Sequence, residues 1–360
     1  MSIEIEYLPE PKLQFGDFFE HEDTKTGLAE FGPFGKSVPG LHPLEIRIGF
    51  IGTRETISKA REWIDQCGHY IESENVMIVG KRPPADANSL FGEDVPSHSP
   101  LLKRLNKIIN RDFVGFNGES SFQSCFQMNS RWERAIDPRE LTPILGIEDK
   151  TERIWSVVGL IEEKLASIVE IGPAPDVVVI ALTPEIEERA DSTRISGNYY
   201  LNLRRAIKAC TMKQRNPIPV QLIRWSTLTG RKNIQEVATR AWNFCTAQYY
   251  KAGGIPWRPV TLEDDACYIG ISFYVASGEN DTTTMRSSIA LAFDFMGQGL
   301  VLRGDRFKWD PDKQGWSPHL TQDAARRLIR RTLEEYVKAR KTPPRRVVVY
   351  KTSEFWGKRR

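Results

Sequence analysis

Cysteine is sparse in this chain and poorly placed for chemistry. Cys67, Cys125, Cys210, Cys245 and Cys267 are five among 360 residues, an odd number with no Cys-x-x-Cys pair. That pattern excludes a disulfide framework and speaks against zinc. Long apolar runs are missing too: no stretch of about 18 apolar residues occurs, so no membrane-spanning helix is expected. The first residues, Met1-Ser-Ile-Glu-Ile-Glu6, lack the basic and apolar regions of a secretory leader. Internal repeats and low-complexity tracts are absent. Together these absences point to a reducing cytoplasm. Net charge is only +3, so the whole-molecule field says little.

What is present describes a globular protein: 40% apolar and 27% charged residues, in a chain long enough for two domains with sizeable cores. Charge is unevenly spread, with Lys and Arg concentrated in 203–232 and 326–360. Such clusters suit a nucleic-acid surface, or simply a solvated helix face.

Along the chain, residues 1–43 are rich in Gly, Pro and Phe and read as an extended segment pinned by aromatics to a larger body. Leu44–Gly52 has a buried-strand pattern and Thr56–Cys67 a helical one; Asn75–Gly80 reads as a short strand, and 81–150 yields no clear period. Then follow a helix over Glu152–Ile168, a central parallel strand over Asp176–Leu182, a helix over Asn198–Met212, a strand over Ile218–Arg224 and a long helix over Asn233–Lys251. This alternation predicts a Rossmann-like α/β layer. After Trp257 the order changes to strands over Ala266–Val275, Ser287–Phe295 and Leu300–Arg306, a helix over Thr321–Arg340 and a strand over Arg346–Tyr350. Three strands, a helix and a strand open a ribonuclease-H-like fold, here an incomplete one. On the last helix, Ala324, Leu328, Leu333 and Val337 are expected to face the sheet, with Arg326, Arg327, Arg330 and Arg331 turned to the sides and outside.

One constellation suggests chemistry. Arg204 and Lys208 are four apart on a helix and share a face; Gln221 lies on the next strand; Lys251 ends the following helix, just before Gly253-Gly254. Cations and an amide brought to the carboxyl ends of parallel strands make a phosphate site. Each residue alone reads as surface decoration; only the joint pattern favours function.

The strings Leu203-Arg-Arg-Ala-Ile-Lys208-Ala, Ile218-Pro-Val-Gln221-Leu-Ile and Tyr250-Lys251-Ala-Gly-Gly-Ile-Pro-Trp257 resemble the MID domain of short prokaryotic Argonautes. Residues 10–34 resemble that family's N-terminal segment, Cys267-Tyr-Ile-Gly-Ile-Ser-Phe273 the first strand of a PIWI domain and Val347-Val-Val-Tyr-Lys-Thr-Ser353 its fourth. The resemblance implies an N-terminal segment (1–43), a guide-binding MID domain (44–257) and the N-terminal part of a PIWI domain (258–360). It implies that Arg204, Lys208, Gln221 and Lys251 grip the 5′-phosphate of a guide strand, with Arg204 where the family has His or Tyr. A Mg2+ ion beside that phosphate is the one cofactor implied.

Cutting relatives hold two metal ions with carboxylates on the first and fourth PIWI strands. Here those positions carry Ser272 and Thr352. The expectation is therefore a binder that is not itself an enzyme. The resemblance further implies a guide RNA, or a guide DNA, paired with single-stranded target DNA, and Arg326, Arg327 and Arg330 along the duplex channel. It also implies a partner with an APAZ region and an effector of sirtuin type, TIR type or nuclease type, an NADase before a nuclease. Target recognition then activates the effector against plasmids or phage, with oligomerisation. The alternatives read from the residues are an α/β regulatory module for a phosphorylated small molecule, an active nuclease of ribonuclease-H type, and a scaffold for an effector without a guide.

Overall fold

Runs of β-branched residues organise the first α/β layer. In the computed structural model, which describes residues 10–74, 111–196, 199–214, 216–230, 235–263, 265–275, 284–293, 299–310, 315 and 317–353, the chain divides into two compact units. One unit comprises residues 28–192 and 202–256. Its sheet contains β1 (Glu45–Gly52), β2 (Cys125–Ala135), β3 (Val177–Ala181) and β4 (Val220–Ile223), all parallel, in the order β2-β1-β3-β4. Every residue of β3 is buried, as its Val-Val-Val-Ile-Ala run requires of a central parallel strand.

Helices cover the sheet. α1 (Arg54–Cys67) starts at Thr53, whose hydroxyl accepts from Thr56 N at 3.3 Å. α2 (Lys150–Val169) starts at Asp149, which accepts from Glu152 N at 2.7 Å, and buries Ile154, Val157, Val158, Ile161, Leu165 and Ile168 at helical spacing. Gly52 is needed where it stands, since a Cβ there would lie 2.8 Å from Ala181 O.

The structure adds to the expectations and corrects some. β2 lies in the stretch that gave no period. It contains no Val, Ile or Thr, and it is a sheet edge on which only Trp132 is buried, so no apolar alternation marks it. The helix expected from Asn198 starts at Leu203 instead; Tyr199–Asn202 is a strand paired with Ser192–Ser196, and Asn202 caps the helix, α3 (Leu203–Thr211). The helix expected from Asn233 is α4 (Val237–Lys251), because the Glu236 carboxylate accepts from Ala238 N and Thr239 N and sets the start. The expected strand at 75–80 lies outside the described residues.

The other unit comprises residues 1–27, 193–201 and 257–360. Leu13–Gln14 pairs with Glu20–His21 and with Arg258–Pro259. Phe15 is buried whereas Phe18 and Phe19 are exposed. The main sheet is an antiparallel meander of β5 (Ala266–Val275), β6 (Thr284–Phe293) and β7 (Gly299–Lys308), followed by α5 (Gln322–Arg340) and β8 (Arg346–Lys351). β8 joins β5 in parallel, giving the order β7-β6-β5-β8, the opening strand order of a ribonuclease-H-like sheet.

The face that α5 turns to its sheet is wider than expected. Leu328 and Tyr336 pack on Cys267, Ile269 and Ile271, Thr332 is buried between them, and the half-buried Leu333 and Ile329 pack against the same cluster, as expected for Leu333. Both polar side chains are satisfied: Thr332 donates to Leu328 O at 2.8 Å and Tyr336 to Ala266 O at 3.5 Å. Burial of these two polar residues therefore costs little. Among the described residues no helix is long and apolar enough to cross a membrane.

Candidate functional site

Three elements of the first unit bring the candidate residues together. On α3, Leu203, Ala206 and Ile207 are buried, which turns Arg204 and Lys208 to the opposite face. On β4, Val220 and Ile223 are buried while Gln221 is half-buried. On α4, Gln248 and Tyr249 are buried and fix the last turn, at whose end stands Lys251. The chain then reverses through Gly253 at φ +90°, a conformation that favours glycine, and Gly254 N donates to Tyr249 O at 2.9 Å. Gly254 also lies flat on the Tyr249 ring, 2.4 Å from where a Cβ would stand.

The side chains meet. Lys251 Nζ donates to Gln221 Oε1, and Gln221 Nε2 donates to Leu222 O at 2.9 Å, which fixes the amide with its oxygen towards the amine. The Lys251 amine is pushed down to about 8, first by burial and then by the positive charges of Lys208 and Arg204. Lys208, Arg204 and Gln221 thus all act on one ammonium. Among the described residues no carboxylate pairs with Arg204, Lys208 or Lys251; nearby Asp191 is taken by Arg224 at 2.7 Å. Like charges gathered without a counterion destabilise the fold, and an anion relieves them.

A cavity of about 420 Å³ adjoins the cluster, lined among others by Trp63, Arg204, Gln221, Arg240, Asn243 and Phe244. The Arg240 guanidinium stacks over Trp63 at 5.0 Å and donates to Thr227 O, while its Nε is buried without a partner among the described residues. Sequence reasoning passed over Arg240 and Trp63. Arg240 was detectable: with Phe244, Ala247 and Lys251 it keeps one face of α4 at spacings of four, three and four. Trp63 gave only a core signal. The Mg2+ ion implied by the resemblance does not fit these four side chains. Three of them are cations, and Gln221 Oε1 already accepts from Lys251.

In the second unit, Ser272 lies on β5 and Thr352 directly follows β8. The parallel register Ile271↔Lys351, with Thr352 N donating to Ile271 O at 3.0 Å, sets them side by side. Of the described acids of this unit, Asp265 pairs with Arg345 at 3.5 Å and Asp305 with Arg327 at 3.4 Å. Among the described residues no group of three or more His, Cys, Asp or Glu side chains could hold a metal ion. Arg326, Arg327 and Arg330 are exposed on α5.

No family profile and no curated protein matches the chain. Among solved structures it is similar to the Argonaute of A. aeolicus (11% identity, TM-score 0.45, 95% of this chain and 35% of that one). It is also similar to the Argonaute of Marinitoga piezophila in complex with a 5′ OH guide RNA (11%, 0.48, 98% and 41%). Drosophila Piwi is a third (10%, 0.46, 96% and 34%). The chain thus spans 34–41% of the length of these three proteins.

Proposed function

We propose that this chain binds the 5′-phosphorylated end of a short guide oligonucleotide, pairs the guide with a single-stranded target, and does not itself cut. The observation that carries this reading is the convergence of Arg204, Lys208 and Gln221 on a half-buried Lys251 that has no carboxylate partner. A terminal phosphate dianion accepts hydrogen bonds from the Lys251 ammonium and from the Arg204 and Lys208 side chains, and returns Lys251 to full protonation. The cavity beside Arg204 and Gln221 receives the first nucleoside. Beyond it, base pairing reads the target while the protein holds the backbone.

Hydroxyls at Ser272 and Thr352 do not supply the negative charge that a two-metal centre requires, which supports binding without cutting. In this reading the consequence of target pairing passes to an associated effector protein in a prokaryotic cytoplasm. That effector is an NAD-consuming APAZ partner ahead of a nuclease, acting in defence against plasmids or phage. A phosphorylated small molecule is the second reading, favoured by a cavity within the usual small-ligand range.

Titration with 5′-phosphorylated and 5′-hydroxyl oligonucleotides of graded length separates these readings. The first expects tighter binding of the phosphorylated series and affinity that grows with length. Indifference to the phosphate overturns it; indifference to length transfers the site to a small molecule. Sequencing of co-purifying nucleic acid checks the same point, since short species with a uniform 5′ end are expected.

A further inference from the structure

Three ladders run along α5 at four-residue spacing. Leu328, Thr332 and Tyr336 are buried; Ala325, Ile329, Leu333 and Val337 are half-buried; Gln322, Arg326, Arg330, Glu334 and Lys338 are exposed. The half-buried ladder extends about 18 Å at 1.5 Å per residue. Together with the exposed ladder it lines an open groove of about 980 Å³ whose described walls all belong to α5, and Ile329 and Leu333 also rest against the core around Cys267, Ile269 and Ile271. At Ala325 and Ile329 the groove runs into a pocket of about 300 Å³, whose other walls include Ile271, Leu320, Val349 and Lys351. An apolar ridge that ends in an apolar pocket, rimmed by charge, has the form of a protein-docking site with one anchor position.

We propose that this groove docks an amphipathic helix of a partner protein, one that puts a large apolar side chain into the pocket and acidic residues along the Arg326–Arg330 rim. A ridge at i, i+4, i+8 and i+12 is what a second helix packs against. The rim decides the charge. Arg326 and Arg330 form no ion pair among the described residues, whereas Arg327 is engaged by Asp305 and Lys338 by Glu335. Glu334 alone offers a negative charge within the groove and fixes the direction of the helix by taking a basic residue.

Other occupants fit less well. A second copy would set its own Arg326 and Arg330 against these. A nucleic-acid backbone would meet Ile329, Leu333 and Val337 where it needs donors. The proposal stands apart from the cluster at Lys251 and is tested without a guide.

The test uses the full chain and synthetic amphipathic helical peptides with a Leu ladder and one Phe anchor, labelled for fluorescence anisotropy. One peptide has Glu flanks, one has Lys flanks, and a third replaces the Leu ladder with Ser. The Glu-flanked peptide is expected to bind about tenfold or more tightly than either of the others. Arg326→Glu with Arg330→Glu, both exposed positions, is expected to invert the preference in favour of the Lys-flanked peptide. Ile329→Glu is expected to abolish both, with circular dichroism confirming the fold. Equal binding of the three peptides overturns the proposal. So does an unchanged preference in the double variant, self-association that the double variant removes, or displacement of the peptide by an oligonucleotide duplex.

Discussion

The ends of the two sheets treat charge in opposite ways. In the first unit, cations from α3 and α4 crowd around Gln221 with no carboxylate among them. In the second, at the carboxyl ends of β5 and β8, the register sets Ser272 beside Thr352, two neutral hydroxyls, and the adjoining Lys351 amine meets the His319 ring at 3.1 Å. One end gathers cations and calls for an anion; the other sets two hydroxyls side by side where a metal centre would need carboxylates. The lesson is that a binding site is more legible from an unbalanced charge than from a motif, because unbalanced charge costs stability and persists where function repays it.

The largest expected effect breaks the overcharged end. Lys208→Ala with Lys251→Ala should cost about 1.5–3 kcal/mol for each lost charge-assisted contact to a 5′-phosphorylated oligonucleotide. Filter binding measures the loss, and an unchanged or raised melting temperature shows that the fold is intact. Retained affinity would mean that the phosphate lies elsewhere. Next, Gln221→Glu gives Lys251 a carboxylate partner, which it lacks among the described residues. It should raise the melting temperature by pairing with Lys251 and abolish the preference for a 5′-phosphate; lower stability would show that Lys251 is not the charge in need of a partner.

A smaller effect follows from pH. The Lys251 amine titrates at about 8 in the fold and near its ordinary 10.5 in the unfolded chain. Between those values the unfolded chain holds more protons, so this group makes the ligand-free fold more stable as pH rises through that window. A bound phosphate holds the proton on, so affinity for the phosphorylated end should decline above about pH 8. Lys251→Met should remove both trends, which calorimetric titrations at several pH values can follow. The smallest expected signal is at the hydroxyl end: protein incubated with a 5′-phosphorylated guide, target and Mg2+ or Mn2+ should give no cleaved target. A product that disappears with Asp305→Ala would overturn that reading.

Much of this arrangement was legible in the sequence. Val177–Ala181 announced a central strand because burial on both faces leaves room only for apolar residues, and the spacing of Arg204 and Lys208 placed both on one helix face. The meeting of Gln221 with Lys251 was read as a joint pattern, though the local sequence does not encode the contact itself. β2 escaped because an edge strand needs no apolar alternation. The face of α5 was read only in part: Leu328 and Leu333 do pack on the sheet, while Thr332 and Tyr336 join them because each finds a hydrogen-bond acceptor inside. Arg240 was missed because a cation stacked on tryptophan looks, in a sequence, like any helix-surface arginine.

The crowding at Lys251 also bears on how such a protein should be handled. Sulfate or inorganic phosphate in a purification buffer would neutralise the cations to which the proposal assigns a nucleotide terminus, raising heat tolerance while hiding any difference that such a ligand makes. Thermal midpoints compared in chloride alone would keep that difference visible.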